Sequence, residues 1–182
     1  MRQIRIHGLR RAVLGIAGAM LLAGSARAAD VAVEGEAFVR AKKFLVNAGK
    51  VDVQPMSRFG KGWSGDAQLF WSGGATGAVI DLLIDVPASG RYRVELHLTR
   101  APDYARLKAE VEGQASSVSP DPYSATVLPP APWQLGMFTL RSGTRKLSLM
   151  IVGKHPQSTN YYVGIDRVRL VSAAPEKSGR SQ

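Results

Sequence analysis

The stretch that decides the fold class is residues 81–108, DLLIDVPASGRYRVELHLTRAPDYARLK. Apolar and polar residues alternate over 80–86 and again over 91–99. Because successive side chains on a strand point to opposite faces of a sheet, this spacing predicts two strands, each with one buried and one solvated face. Pro87 and Gly90 mark a short turn between them. We predict an antiparallel hairpin here, and a β-sandwich for the chain as a whole.

The rest of the chain carries the same kind of signal. Further strands are predicted at 31–38, 68–71, 105–112, 134–140, 147–152 and 161–171, with an edge strand at 123–128. The segments 134–140 and 147–152 are predicted to form a second hairpin across Ser142 and Gly143. Many short strands without a long helix predict an all-β fold, an antiparallel sandwich or jelly roll of about nine or ten strands.

The first 29 residues have the pattern of a cleaved signal peptide. Arginines precede an apolar run at 13–23, and Ala26-Arg27-Ala28 offers small residues for cleavage after Ala28 or Ala29. The run is too short for a good transmembrane span. Arg10-Arg11 resembles a twin-arginine export signal, and an ordinary Sec signal is the alternative. We therefore predict a signal peptide at 1–29, one domain at 30–172 and a disordered polar tail at 173–182.

Much of the positive charge belongs to this leader. The chain has 24 Lys and Arg against 14 Asp and Glu, a net charge of +10. Five of the arginines lie in the leader, which leaves 19 basic and 14 acidic residues, or +5. The absence of cysteine excludes a disulfide framework and a lipid-anchored leader. These features predict a soluble, periplasmic or secreted protein with no transmembrane segment after cleavage.

Five short motifs follow one another along residues 31–171. They are Glu34-Gly35-Glu36, Gly90-Arg91-Tyr92-Arg93-Val94, Thr99-Arg100-Ala101-Pro102-Asp103-Tyr104, Leu135-Gly136 and Gly164-Ile165-Asp166-Arg167-Val168-Arg169-Leu170. In this order and spacing, the chain resembles carbohydrate-binding modules of the galactose-binding-domain-like jelly-roll superfamily, near families six and thirty-five. The resemblance implies a non-catalytic domain that binds glycan.

The resemblance also implies a structural calcium between the first and last strands, held by Glu34, Glu36 and Asp166. On a strand, the two glutamates would share a face, and Asp166 would share the buried face of Val168. Carboxylates buried together repel unless a cation or hydrogen bonds compensate. Calcium accepts about six to eight oxygen ligands. The alternative is that the glutamates bond backbone amides or arginines and that Asp166 caps a turn.

For the ligand site, the resemblance implies loops at one end of the sandwich. Sugar rings pack their C–H faces on aromatic rings, while polar side chains bond the hydroxyl groups. The candidate ligand-binding residues are Trp63, Asp103, Tyr104, Trp133, Asn160 and Tyr161. Trp71 and Tyr92 are instead assigned to the core. Asp103-Tyr104 has a second interpretation, as a corner in which the aspartate bonds backbone amides.

Catalysis finds little support in the sequence. Segments 62–66 and 70–74 each miss the G-x-S-x-G nucleophile pattern by one position. His97 and His155 do not form a metal-spaced pair, and parity predicts that His97 lies on a solvated face. We predict that the protein is not an enzyme.

Arginines 91 and 93 share one strand face, and arginines 167 and 169 share another. Such basic faces suggest an anionic polymer as an alternative ligand. Acidic residues interleave with the first pair, and nucleic acid is not predicted as a partner. The predicted function is an exported, non-catalytic carbohydrate-binding module whose partner is a glycan. The alternative is a structural or protein-interaction jelly roll of the cell envelope, which pairs with a partner protein through a sheet face or edge.

Overall fold

The computed structural model describes residues 28–173. The predicted leader, apart from its last two residues, and the predicted tail beyond 173 lie outside the described residues. Within them, eleven strands form two antiparallel sheets, and the one α-helix is short, which confirms the all-β prediction. None of the described helices is long and apolar enough to cross a membrane.

The strands belong to a six-stranded and a five-stranded sheet. In chain order the elements are β1 Val31–Glu34, α1 Gly35–Arg40, β2 Phe44–Val46, β3 Lys50–Pro55, β4 Ala67–Ser72, β5 Val79–Val86, β6 Gly90–Arg100, β7 Ala105–Val111, β8 Gln114–Ala115, β9 Leu128–Leu140, β10 Gly143–Lys154 and β11 Val163–Ser172, with 3₁₀ turns at Ser57–Phe59 and Ser64–Asp66. One sheet has the order β3-β4-β11-β6-β9, with β1 also paired to β11, and the other has the order β2-β5-β10-β7-β8.

The predicted hairpin of β5 and β6 is wrong. Val86 at the end of β5 lies opposite Gly143 of β10, whereas Gly90 at the start of β6 lies opposite Leu140 of β9. The chain therefore crosses from one sheet to the other at residues 87–89. Alternation identifies the buried face of a strand but not its partner, because strands that face each other across a core alternate just as paired strands do.

The predicted second hairpin is wrong for the same reason, since β9 and β10 also lie in different sheets. The two crossings are stacked on each other at one end of the sandwich. The Ser142 amide donates a hydrogen bond to Ser89 Oγ at 2.9 Å. Tyr92 donates its hydroxyl proton to the Ala88 carbonyl at 2.7 Å, which fixes the first crossing.

The apolar faces of both sheets meet in one core. Its largest fully buried side chains include Trp71 and Tyr92, as predicted, together with Phe38. Leu82 from one sheet and Leu96 from the other belong to the same cluster. Burial of this apolar area is the main force that holds the two sheets together.

The predicted strand at 31–38 is wrong beyond Glu34, where helix α1 begins. Strands β1 and β4 pair with the same edge of β11: β4 occupies Val163 to Ile165, and β1 occupies Arg167 to Leu170. The chain must therefore leave this edge after Glu34. It does so at Gly35, where an added Cβ would lie 1.9 Å from the Ile165 carbonyl oxygen.

We predict that Gly35→Ala lowers the free energy of unfolding by about 1–3 kcal/mol or more, because the new methyl group meets rigid backbone. Gly90→Ala is the control, since its Cβ would find ordinary contacts of 3.6 Å and beyond. Chemical denaturation of both variants measures the difference. Equal stability of the two would show that the junction at Gly35 is not tightly packed.

Candidate functional site

A cluster of carboxylates lies where β1 and β4 meet beside β11. Asp166 falls at a register shift of β11, between Ile165 and Arg167, and only 1% of it is exposed. Its Oδ1 accepts a hydrogen bond from the Ser64 amide at 2.7 Å. Glu36 is buried in α1, against the turn that contains Gly65. Three separate chain segments thus contribute to one buried acidic site.

The acidic site is incompletely compensated. One side-chain oxygen each of Glu34, Glu36 and Asp166 is buried without a hydrogen-bond partner. Burial raises the pKa of Asp166 to about 6, with smaller contributions from the charges of Glu34 and Glu36, although the Ser64 amide and Arg167 act in the opposite direction. Arg167 Nε lies 3.7 Å from Asp166 Oδ2. The prediction that the two glutamates share a strand face is wrong, because Glu36 lies in a helix. The negative charges of both glutamates nevertheless raise the pKa of Asp166.

The three carboxylate oxygens without hydrogen-bond partners are hard donors, the type of ligand that a hard cation such as calcium prefers. Within residues 28–173, however, no group of three or more His, Cys, Asp or Glu side chains is already arranged to hold a metal ion. A cation at this site would therefore require the carboxylates to close around it. Calcium tolerates such irregular geometry better than magnesium does.

The raised pKa of Asp166 predicts a pH-dependent stability in the presence of a chelator. Because the folded-state pKa of about 6 exceeds the ordinary aspartate value of 3.8, the folded state binds more protons than the unfolded state between these two pH values. The free energy of unfolding should therefore fall by about 2 kcal/mol as the pH rises from 4 to 6, relative to Asp166→Asn. Asparagine keeps the acceptor for Ser64. Parallel stability curves for the two proteins would contradict the assignment.

A cavity lies on the outer face of the six-stranded sheet, at the end opposite the two crossings. Its volume is about 340 Å³. Its lining residues are Gln54, Met56, Arg58, Phe59, Phe70, Ala101, Pro102, Asp103, Tyr104, Val127, Thr159 and Tyr162. Phe70 faces outward because it alternates with the buried Leu69 and Trp71 on β4. Loops from four parts of the chain close the cavity around this strand.

Aromatic rings form the sides of the cavity. The rings of Phe70 and Tyr162 meet edge to face, with centroids 5.3 Å apart and planes at 70°. Phe59 is 36% exposed, and the Arg58 guanidinium lies 4.7 Å from its ring centroid. Exposed and half-buried rings of this kind provide flat apolar area that a ligand can contact, and using them for binding does not disturb the packing of the hydrophobic core.

A buried hydrogen-bonded chain supports the cavity floor. Trp63 Nε1 donates to Thr99 Oγ1 at 2.7 Å, and Thr99 Oγ1 donates to Gln68 Oε1 at 2.5 Å. Gln68 Nε2 donates in turn to the Tyr104 hydroxyl at 3.1 Å and to Gln54 Oε1 at 2.6 Å. Tyr104 and Gln54 line the cavity, so the chain fixes two of its polar groups.

Gly164 has no side chain, and this leaves room for the hydrogen-bonded side chains of Tyr104 and Gln68. A Cβ at Gly164 would lie 2.2 Å from the Tyr104 hydroxyl and 2.5 Å from Gln68 Oε1. Burial raises the pKa of Tyr104, so its hydroxyl stays protonated even well above neutral pH. Burial also raises the pKa of Asp103 above its usual value.

The six predicted ligand residues do not all meet at the cavity. Asp103 and Tyr104 line it, whereas Trp63 lies behind it in the buried chain. Trp133 lies on β9 opposite Leu96 and packs against the core. Their role in binding a ligand stays a prediction.

Asn160 and Tyr161 lie between two lining residues without lining the cavity themselves. Asn160 Oδ1 accepts a hydrogen bond from the Tyr161 amide at 3.1 Å, and the Lys154 ammonium lies 4.9 Å from the Tyr161 ring centroid.

Sequence reasoning missed Phe59, Phe70 and Tyr162. Strand parity offered a signal for Phe70, since it alternates with core residues on β4. Tyr162 precedes the last strand and is next to the predicted Tyr161. Nothing in the sequence singles out Phe59, because its position depends on how the loop between β3 and β4 folds.

Comparison with known proteins identifies the fold. Neither a protein-family model nor a curated protein matches this chain. Among solved structures, a xanthan lyase from Paenibacillus is similar, with a TM-score of 0.63 and 20% identity over 73% of this chain and 13% of that one. The GH26-CBM35 β-(1,4)-mannanase of Podospora anserina is similar with a TM-score of 0.54 and 16% identity, over 84% of this chain and 29% of that one.

A third similar structure is a carbohydrate-binding domain by itself. It is the CBM36-1 domain of a multidomain xylanase from the hindgut metagenome of Trinervitermes trinervoides, with a TM-score of 0.51 and 12% identity over 81% of this chain and 100% of that domain. The described domain therefore has the jelly-roll fold of carbohydrate-binding modules, and the predicted resemblance is confirmed for the fold. This chain spans only 13% and 29% of the length of the lyase and the mannanase.

Proposed function

We propose that this protein is an exported glycan-binding domain that holds a sugar chain in the cavity on the outer face of the six-stranded sheet. The observation that carries the proposal is the lining of this cavity, in which aromatic rings stand beside a few polar groups on a carbohydrate-binding fold. A cavity of about 340 Å³ is within the range of small-ligand sites, roughly 300–1,000 Å³.

The lining residues divide the work of binding in this proposal. Phe59 and Tyr162 offer ring faces and edges to the C–H groups of a sugar. Asp103, Gln54 and Arg58 offer hydrogen bonds to its hydroxyl groups. The hydrogen-bonded chain beneath the floor keeps Gln54 from turning away, which lowers the entropic cost of binding.

The proposal includes binding without cleavage. Glycoside hydrolysis ordinarily uses two carboxyl groups that flank the scissile bond. Among the residues described as lining the cavity, Asp103 supplies a single carboxyl group. This supports a binding role, in which Asp103 bonds hydroxyl groups instead of transferring protons.

Phe59→Ala should weaken glycan binding about tenfold or more, because it removes an exposed ring without emptying the core. Xylohexaose and mannohexaose are suitable first probes, since one similar structure is a domain of a xylanase and another is a mannanase. Isothermal titration calorimetry of the full chain measures the affinity. Leu45→Ala is the control, since Leu45 is also an exposed apolar residue but lies on the other sheet.

If Phe59→Ala and Leu45→Ala bind a glycan as tightly as the parent protein does, the cavity is not the site. If no glycan binds across neutral and acidic panels, the interaction-protein alternative is favoured.

We also propose that Glu34, Glu36 and Asp166 hold a structural calcium ion. Their three unpartnered buried oxygens support this, since each carries a desolvation cost that a cation would offset. Calcium there would supply positive charge to bind the end of β1, helix α1 and β11 together. The ion would thereby stabilise the Ser64–Asp66 turn, whose amide already bonds Asp166.

Millimolar calcium should raise the Tm by about 5–10 °C at pH 7.5, if its concentration is near one hundred times the dissociation constant. Differential scanning fluorimetry with calcium and with excess chelator measures the shift. Asp166→Asn should lose most of it, whereas the exposed control Glu112→Gln should keep it. A shift of equal size in Asp166→Asn, or no shift in any of the proteins, would rule out this site.

A further inference from the structure

The outer face of the six-stranded sheet carries three arginines around a buried carboxylate. Arg93, Glu95 and His97 alternate along β6 on this face, and Arg167 and Arg169 stand on β11. The strand register places Glu95 opposite Arg169 and His97 opposite Arg167. We call these five residues the arginine face. None of them lines the cavity described above.

Glu95 holds two guanidinium groups in place. Its Oε1 accepts a hydrogen bond from Arg93 Nε at 3.1 Å, and its Oε2 accepts one from Arg169 Nη1 at 3.2 Å. The Glu95 side chain is 7% exposed, whereas those of Arg93 and Arg169 are 45% and 39% exposed. A buried carboxylate thus fixes two partly exposed cations.

Both guanidinium groups retain donors for a ligand. Each bonds Glu95 through one nitrogen, and within residues 28–173 their other nitrogens have no protein hydrogen-bond partner. A planar guanidinium binds a carboxylate through two parallel hydrogen bonds. Because their positions are already fixed, these forks lose little conformational entropy when they bind.

The charge of the arginine face is not balanced by its own carboxylate. Burial lowers the pKa of His97, and the charge of Arg167 lowers it further, so the imidazole is neutral at pH 7. The charge of Arg167 is offset by Asp166, 3.7 Å away. The surplus therefore belongs to Arg93 and Arg169, which share the single negative charge of Glu95.

The neighbouring strands present uncharged residues beside this pair, although Arg91 precedes Arg93 on the same face of β6. Met137 lies opposite Arg93 on β9 and is exposed, and Gln134 lies opposite Glu95. Ala32 lies opposite Arg169 on β1, and Val171 lies opposite Arg93 on β11. A sugar ring can therefore rest on apolar groups while its carboxylate meets the guanidinium donors.

We propose that the arginine face is a second glycan site, separate from the cavity, which binds the uronate carboxylates of an acidic polysaccharide. It rests on the proposed function only in that the ligand is a polysaccharide. Nucleic acid fits less well, because phosphate-backbone binding typically uses about 6–10 phosphate contacts, more than this small surplus of charge supplies.

Polygalacturonate and its fully methyl-esterified form test the proposal on the full chain by affinity electrophoresis. Polygalacturonate should bind, and its affinity should fall about tenfold between 30 and 300 mM NaCl because salt screens exposed charges. Arg93→Gln should weaken binding about five- to tenfold, since it removes one charge-assisted fork. Glu95 keeps Arg169 as a partner in this variant. Arg169→Gln is the second variant, should Arg93→Gln fail to fold.

Lys108→Gln is the matched control on the other sheet. Lys108 is also 45% exposed and pairs with a glutamate two residues on, Glu110, at 2.9 Å. It should leave binding unchanged, and so should Phe59→Ala, which separates this site from the cavity. Four results would overturn the proposal: absence of binding, equal binding of the methyl ester, equal losses in Arg93→Gln and Lys108→Gln, or displacement of the polymer by a lower concentration of single-stranded DNA.

Discussion

The sharing of one edge of β11 between β4 and β1 is the constraint on which the rest of the structure depends. β4 pairs with the first part of this edge and β1 with the second, and the register of β11 against β6 shifts between the two parts. Asp166 lies at this shift and is buried there. Because β1 must leave the edge at Gly35, Glu36 is brought to the same place. One problem of strand pairing thus produces both the helix and the acidic site.

The two ends of the sandwich differ in what they do. At one end, the two crossings bond each other through Ser89 and Ser142, and their role is to connect the sheets. At the other end, loops cover the outward residues of β3 and β4 and enclose the cavity. The polar chain from Trp63 to Tyr104 connects the loop between β3 and β4 to the corner after β6. Buried Trp63 therefore stabilises this arrangement by donating its indole N–H proton to Thr99.

Sequence patterns predicted the class of fold but not the pairing of its strands. Alternation over 80–86 and 91–99 correctly reports which side of each strand faces the core, but Glu95, His97 and Thr99 on the outer face of β6 are buried as well. It carries no information on which strand lies alongside, so both predicted hairpins were wrong. His97 shows the same limit, because it lies on the outer face as predicted but is buried there beside Glu95.

Residues of the candidate site could be predicted only where a short sequence motif determines the local backbone conformation. The corner at Asp103 and Tyr104 lines the cavity, and the ligand-binding role that the resemblance implies for it stays a prediction. The side chain of Phe59 reaches the cavity through a loop whose course depends on distant contacts, so no local pattern reveals it. Trp63, a tryptophan in a glycine-rich loop, is buried and donates a hydrogen bond to Thr99. Its role in ligand binding stays a prediction.

An NMR titration of the isotopically labelled full chain with xylohexaose and with mannohexaose tests the cavity most directly as a glycan site. If glycan binds there, at least one of these glycans shifts the backbone amides of Phe59, Tyr104, Thr159 and Tyr162, which line the cavity, and leaves those of β2 and β5 unchanged. Shifts that cluster on the five-stranded sheet would contradict it, as would the absence of shifts with either glycan at millimolar concentration.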